Sequence, residues 1–303
     1  MELTSQGQKQ VYIRCNIKKI DKINSVKEEF WCAFSITKCW KDNTIPQNLE
    51  KYVNDTEPKI YISNLIKTNY IYVSYDTFLV GQQQFIEKTE NYFSKLKGNF
   101  NFHKFPCDIQ KLNINIISRE PSTKVKLVQS PHHISLLSAH DTFQRKHEWN
   151  IYSPLNVIVK ETNNSNSTKN LTYSSLDFVF SIKRSLKNYF WNIIFLNFLI
   201  ALSSFSTYSI EYENSADRLN VSGMLLLTKV AFKQVQNTLT PNISYLTLID
   251  KYIFCGLAFL FIVMIQNSVA IFMSQNFDNY SFFFLVGLFV LYNSVFAIRF
   301  LKA

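Results

Sequence analysis

The sequence lacks the motifs that most enzyme chemistry requires. It has only 6 glycines in 303 residues, and they form no glycine-rich loop that could hold a phosphate. Its neighbouring histidines, His132 and His133, cannot share a face of a helix or a strand, and His140 and His147 have no spaced carboxylate partners. We therefore predict that the protein is not an enzyme and that it holds no metal or other cofactor.

Cysteine is also scarce, and its spacing excludes the usual metal-binding motifs. The five cysteines stand at positions 15, 32, 39, 107 and 255. Cys32 and Cys39 are seven positions apart in a strand-like run, so their side chains are expected on opposite faces. We interpret the cysteines as small buried hydrophobic residues.

Apolar and aromatic residues are abundant instead, at 47% and 16% of the chain. The net charge is +10, and most of the positive excess precedes the first long apolar segment. A basic region could attract nucleic acid, but no nucleic-acid motif accompanies it. Because long apolar segments follow, we expect anionic lipid or an acidic partner, and no nucleic acid.

The first part of the chain carries the alternating pattern of short strands. In the run from Phe30 to Trp40, for example, Phe30, Cys32, Phe34 and Ile36 fall on one face. About ten such runs, separated by turn-rich stretches, extend from Val11 to Arg184. This pattern predicts a β-sandwich domain over residues 1–184.

Four apolar segments follow, over residues 189–210, 219–239, 252–273 and 281–301. Each is close to the ~20 residues that a helix needs to cross a bilayer. The sequence therefore predicts a multi-pass membrane protein whose residues 185–303 form a four-helix transmembrane domain in the lipid bilayer.

The second of these segments has a stripe of mixed character. At about 100° per residue, one face combines small, polar and apolar side chains, as the wall of a narrow wet pore would. The stripe consists of Asn220, Met224, Leu227, Ala231, Gln234 and Thr238. A membrane helix with a polar packing face explains the same pattern.

Three motifs in the chain, in this order, resemble those of the pentameric ligand-gated (Cys-loop type) ion channels. The first is the run FPCDIQ at residues 105–110, which resembles the family's FPxDxQ loop. The second is the basic step Lys183-Arg184 before the first membrane helix. The third is the pore helix and its following loop, with Arg218-Leu219, the leucine run, Thr240-Pro241 and the SYLT run at 244–247. The chain resembles a divergent member that lacks the loop disulfide.

The resemblance implies a role for several residues. Asp217 would lie beside the inner mouth of a cation-favouring pore, and Leu227 would form a hydrophobic constriction that gates by dewetting. Asp108 and Arg184 would form a charged coupling cluster, although an ordinary surface ion pair explains the same residues. The resemblance places the loop that receives the movement at Pro241, Tyr245 and Asp250, and an aromatic of the ligand site at Tyr173.

Other features favour a second function for the same fold. Lys229 and Lys233 point away from the predicted pore stripe, where an ammonium group is expensive unless a partner protein or lipid phosphate contacts it. The first membrane segment has Asn197 near the place of the family's proline. The alternative is thus a non-conducting accessory subunit, with the channel fold recruited into a larger membrane complex. The oligomer, a pentamer if it is a channel, would contain identical or different copies.

The sequence is compatible with two membranes, the plasma membrane and the mitochondrial inner membrane. The first 19 residues contain no continuous apolar core of the signal-peptide type. Basic residues near the helix ends also lie mainly on the side of the amino-terminal domain. These patterns favour an organellar location, such as the mitochondrial inner membrane, over the plasma membrane.

Overall fold

The computed structural model describes residues 8–42, 56–80, 83–131, 134–138, 148–163, 171–239, 245–273 and 275–302. The chain divides into two compact units. The sheet unit contains Met1–Phe100 and Ile109–Lys183, and the helical unit contains Asn101–Asp108 and Arg184–Ala303. The predicted boundary after residue 184 differs from this division because the segment Asn101–Asp108 groups with the helices.

The described part of the sheet unit is a sandwich-like arrangement of nine strands in two sheets. The strands are β1 (Lys9–Asn24), β2 (Glu29–Lys41), β3 (Ile60–Ile62), β4 (Leu65–Val80), β5 (Gln83–Lys97), β6 (Ile109–Pro121), β7 (Val125–Gln129), β8 (Trp149–Asn163) and β9 (Thr172–Arg184). The first sheet has the order β4-β5-β2-β1-β7 and the second has the order β3-β6-β9-β8. Within the first sheet, β1 pairs antiparallel with β2 and parallel with β7.

The alternation predicted from the sequence sets the core of this unit. Phe30, Cys32 and Phe34 of β2 are buried on the inner face, as are alternate residues of β9 such as Phe178 and Phe180. The rings of Phe30 and Phe180 meet edge to face, with 6.4 Å between their centroids, and so join the two sheets.

A network of four charges interrupts the apolar inner face of β2 and β5. Lys38 lies 2.6 Å from Glu57 and 3.0 Å from Glu90, and Lys88 lies at the same two distances from the other oxygens of these carboxylates. Tyr92 donates a further hydrogen bond to Glu90. Burial by itself raises the pKa of Glu90, but Lys38, Tyr92 and Lys88 together lower it below its usual value. Because each ion has two opposite partners, the network can remain buried.

Strand β4 forms one edge of the first sheet and is exposed along most of its length. Within the described part of the chain, its 16 residues pair on one side only, with β5. Several large apolar and aromatic side chains of this strand are solvent-exposed, among them Tyr70, Tyr72 and Leu79. Among the described residues, β4 is therefore the longest edge strand of the two sheets.

The described part of the helical unit has four main helices. They are α1 (Lys187–Ser209), which includes a π-helical turn and a 3-10 end, α2 (Ser215–Leu239), α3 (Leu248–Val269) and α4 (Gln275–Lys302). Helices α1, α3 and α4 are long and apolar enough to cross a membrane. The sequence predicted four such spans, and α2 is the exception because Asp217, Arg218, Lys229 and Lys233 reduce its apolar character.

Aromatic and aliphatic side chains from α1, α3 and α4 form the core of this unit. Ala201 of α1, Phe259 and Val263 of α3, and Leu285 and Phe289 of α4 are all buried together. Since α3 and α4 each contribute two residues about one turn apart, the core runs along these two helices, with Ala201 of α1 packed against it.

Candidate functional site

The predicted charged cluster is present in the helical unit and is buried. Arg184 Nε donates to Asp108 Oδ1 at 2.8 Å, and Arg184 Nη2 donates to Asp108 Oδ2 at 3.3 Å. Arg184 Nη1 also donates to the Tyr189 hydroxyl, and the guanidinium carbon lies 4.9 Å from the ring centroid of Phe105. Two-point contact and burial distinguish this pair from the ordinary surface ion pair that also explained the sequence.

The segment Asn101–Asp108 is tied to the start of α3. The Phe102 N–H donates to the Tyr245 hydroxyl at 3.0 Å, and the His103 ring stacks on Tyr245 with 4.1 Å between centroids. The Ile249 N–H donates to the Phe105 carbonyl at 3.3 Å. Tyr245 therefore joins the segment Asn101–Asp108 to the residues just before α3.

Of the other two residues predicted in this loop, the structure describes Asp250 but not Pro241. Asp250 accepts a hydrogen bond from the Thr247 N–H at 3.0 Å, and Thr247 Oγ1 accepts one from the Asp250 N–H at 3.2 Å. This reciprocal pair is a capping box that starts α3, so Asp250 has a structural task of its own. Pro241 lies outside the described residues.

A second buried arginine–aspartate pair lies at the other end of α1. Arg218 of α2 donates to both carboxylate oxygens of Asp278 of α4, at 2.8 and 3.0 Å, and its Nε donates to the Ile210 carbonyl at 2.9 Å. Gln266 of α3 donates to Asp278 at 3.0 Å, and the Tyr208 hydroxyl donates to Gln266 at 2.9 Å. Sequence reasoning missed this cluster. Its signal was that Asp278 is the sole acidic residue of the last helical segment.

The predicted pore stripe is exposed on the surface of α2. Met224 and Leu227 have exposed fractions of 69% and 72%. The remaining described members are exposed as well, namely Asp217, Asn220, Ala231 and Gln234. The side chain of Thr238 lies outside the described residues. The stripe thus faces away from the other helices of its own chain.

The opposite face of α2 is buried and unusually polar. Arg218, Ser222, Lys229 and Gln236 all lie on it. Lys229 is only 1% exposed, and its ammonium group donates to the Asn197 carbonyl of α1 at 3.2 Å. We expected Lys229 to contact a partner or lipid, but the structure gives it a contact inside the bundle.

A glycine on α3 makes room for this ammonium group. A Cβ atom at Gly256 would lie 2.9 Å from Lys229 Nζ, closer than Cβ atoms approach other atoms in proteins. Lys233, one turn later, is half-buried, with its ammonium nitrogen 3.2 Å from the ring centroid of Phe254 on α3. Both lysines are therefore directed to α3 or α1 rather than to the stripe.

Asn197 supplies the carbonyl for Lys229 next to a backbone irregularity. A π-helical turn covers Phe190–Phe195, and the Asn197 side chain donates to the Ile193 carbonyl at 2.7 Å. A π turn leaves main-chain groups without their usual partners, so a polar side chain at this point replaces a lost bond. Here an asparagine stands where the family resemblance would place a proline.

Tyr173 lies at the start of β9, opposite Pro121 of β6, and is half-buried. Trp40 and Trp149 are both buried in the sheet unit. The hairpin tip over residues 164–170 lies outside the described residues. Tyr173 is thus the single described aromatic that the resemblance supplies for a ligand site.

Comparison with known proteins gives no independent assignment. The chain matches no protein-family model, and a search of curated proteins finds no match either. Within the described residues, no group of three histidine, cysteine, aspartate or glutamate side chains could hold a metal ion.

Proposed function

We propose that the chain is a subunit of a pentameric ligand-gated ion channel-like membrane protein that passes cations. The observation that carries this proposal is the exposed stripe on α2, which lies opposite a buried polar face of the same helix. One face of α2 packs against its own bundle, so the opposite face can line a central axis around which several copies assemble.

The composition of the stripe suits a pore better than lipid or bulk water. Asn220 and Gln234 would be costly against acyl chains, which cannot hydrogen-bond them. Met224 and Leu227 would in turn be a large apolar exposure in bulk water. A narrow water-filled pore accepts both, with Leu227 as the constriction that gates by dewetting.

Asp217 supports cation passage in this arrangement. It is exposed in the first turn of α2, where its carboxylate accepts a hydrogen bond from Asn214 at 2.6 Å. Repeated around an axis, this carboxylate would form a negative ring at one mouth of the pore. Tyr245 would pass movement of the segment Asn101–Asp108 to α3, and the Asp108–Arg184 pair would link the same segment to Tyr189 of α1.

The test is ion flux through the purified protein in liposomes, after its native mass shows a ring of copies. Leu227→Ala should raise unstimulated flux, because the apolar constriction becomes wider. Val230→Ala is the matched control, since Val230 is also exposed on α2 but lies off the stripe. Asp217→Asn should lower the preference for cations. A well-formed ring without flux under any condition, or equal effects of Leu227→Ala and Val230→Ala, would refute conduction through this stripe.

A second function, an accessory subunit of a larger membrane complex, is favoured by the charge on α2. The helix is less apolar than its three neighbours, and its exposed Asp217 and half-buried Lys233 lie at its surface. Surrounding proteins would tolerate such a helix more readily than lipid does. Co-migration with many other proteins in one large particle after gentle extraction would favour this function over the ring.

A further inference from the structure

Strand β4 has a regular outer edge over residues 70–80. Along this run it pairs antiparallel with β5 without a register shift. Among the described strands, β5 is its only neighbour in the first sheet. The outer edge therefore presents a regular row of main-chain N–H and C=O groups, and another extended chain has its own groups at the spacing that satisfies them.

This edge lacks the features that usually prevent a strand from adding to a sheet. Such features are short length, proline, a bulge and charged side chains, above all lysine. Residues 70–80 include no proline and no lysine, and Asp76 is their single charged residue. The run also belongs to a strand of 16 residues. An edge of this kind is expected to be covered in the assembled protein.

The side chains along this edge are apolar on both faces of the strand. Tyr70, Tyr72 and Phe78 fall on one face, and Ile71 and Leu79 fall on the other. All five are exposed, from 38% for Phe78 to 71% for Leu79. A strand beside them gains cross-strand contacts on both of its own faces. The matching segment is therefore apolar or aromatic on both faces and carries little charge.

A second copy of this chain has no other edge that matches β4. Among the described strands, the remaining sheet edges are β3 with 3 residues, β7 with 5 residues, and β8. Strand β8 contains Pro154, a residue that weakens pairing at an edge. Two β4 strands would pair about a two-fold axis and close as a dimer, which cannot extend into the ring proposed above.

We propose that the β4 edge binds an extended segment of a different protein, which adds to the first sheet as a further strand. Main-chain hydrogen bonds would hold the segment, and its alternate side chains would contact Tyr72 on one face and Leu79 on the other. This inference goes beyond conduction, because strand addition needs no pore. Only the exclusion of a β4–β4 dimer rests on the proposed ring, so the test scores a dimer separately.

The first test adds a strand-forming peptide to the full-length purified protein in detergent. The probe is a fluorescent peptide with the sequence of residues 85–96 of β5, which already pairs with β4. N-methylation at every second residue leaves it one hydrogen-bonding edge and prevents it from stacking on itself. We expect saturable binding by fluorescence anisotropy and slower amide exchange over residues 70–80. The same peptide N-methylated at every residue has no main-chain donors and should not bind.

Two exposed positions test the side-chain contacts. The double variant Tyr72→Lys with Leu79→Lys should weaken peptide binding about tenfold, because two cross-strand contacts are lost and lysines oppose edge pairing. Tyr152→Lys is the matched control, since Tyr152 is 60% exposed, against 56% for Tyr72, but lies on β8. A melting temperature close to that of the wild type shows that each variant is folded.

The second test measures amide exchange of β4 in the complex extracted gently from native membranes. Slow exchange over residues 70–80 that becomes fast when stringent detergent removes a different protein would support the proposal. Fast exchange in the native complex would overturn it, and so would equal protection in a dimer of this chain alone. It is also overturned if the wild type does not bind the peptide, if the fully N-methylated peptide binds equally well, or if the folded double variant binds as the wild type does.

Discussion

Replacing Asp278 by asparagine should strongly destabilise the helical unit. The side chain keeps its shape, but Arg218 is left buried without a negative partner. Asp278 accepts two hydrogen bonds from Arg218 and one from Gln266, and thereby ties α2 and α3 to the first turn of α4. Asp278→Asn replaces one carboxylate oxygen by an amide nitrogen and thereby weakens the contact between α2, α3 and α4.

The expected cost follows from these contacts. Breaking a buried ion pair by removing one partner costs about 3–5 kcal/mol. Arg218 retains two hydrogen bonds to the Ile210 carbonyl, and the asparagine oxygen can still accept one, so the lower end of this range applies. A loss of about 3 kcal/mol lowers the melting temperature of a domain of this size by roughly 10 °C.

The assay is thermal unfolding of the full-length protein in detergent, followed by size-exclusion chromatography. Asp217→Asn is the matched control, because Asp217 is exposed, and we expect a change within about 0.5 kcal/mol. The double variant Arg218→Met with Asp278→Leu should recover part of the loss, since an apolar pair needs no desolvation, while the Ile210 carbonyl and Gln266 lose their partners. A melting temperature of Asp278→Asn close to the wild-type value, or a double variant no better than the single one, would refute this reasoning.

Three further predictions concern other polar groups. Lys229→Met should not lower the melting temperature. Gly256→Ala should lower the unfolding free energy of the wild type by about 1–2 kcal/mol, and by less when Lys229→Met is also present. Additive effects in a double-mutant cycle would contradict this. The pKa of Glu90 is lower in the folded protein than its unfolded value of about 4.3, so its carboxylate stabilises the fold at pH above that value. This stability is lost as the pH falls through the folded pKa. Glu90→Gln should therefore make the unfolding free energy depend less on pH in the acid range. An equally steep dependence would exclude Glu90 as a source. Tyr245→Phe should speed amide exchange at Phe102, whose N–H loses its acceptor, while global melting changes less; unchanged exchange would show that the contact does not hold the segment.

The strands of the sheet unit were predictable because their burial alternates. The run from Phe30 to Trp40 predicted one buried face, and β2 spans Glu29–Lys41 with that face inward. The inward Lys38 was not predictable, because its partner Glu57 lies outside β2 and their meeting depends on the fold. Local periodicity gives the face of a strand but not the partners of a charge.

Helix positions were predictable from apolar length, but helix starts were not. The predicted segments begin at residues 219 and 252, whereas α2 begins at Ser215 and α3 at Leu248. The missed first turns are polar, with Asp217 and Arg218 in α2 and Asp250 in α3. An apolar window ignores such turns, although capping groups and acidic residues favour a helix start.

The orientation of α2 could be predicted only in part. Its periodicity predicted the stripe with Leu227, and that stripe is exposed. The same periodicity did not show that Lys229 would be buried, because an isolated lysine in a bundle needs a carbonyl from Asn197 and space at Gly256. Both come from other helices, and neither is near in the sequence.

The long free edge formed by β4 has a consequence for work with fragments of this protein. Among the described residues this strand of 16 residues is paired with β5 alone, so its outer edge presents main-chain donors and acceptors on which another strand can add. The exposed side chains of Tyr70, Tyr72 and Leu79 would stabilise an added strand through apolar contacts. A fragment that contains only the sheet unit is therefore expected to aggregate or to form strand-exchanged dimers. Shielding this edge, for example with lysines on the outer face of β4, is a practical condition for obtaining the fragment as a monomer.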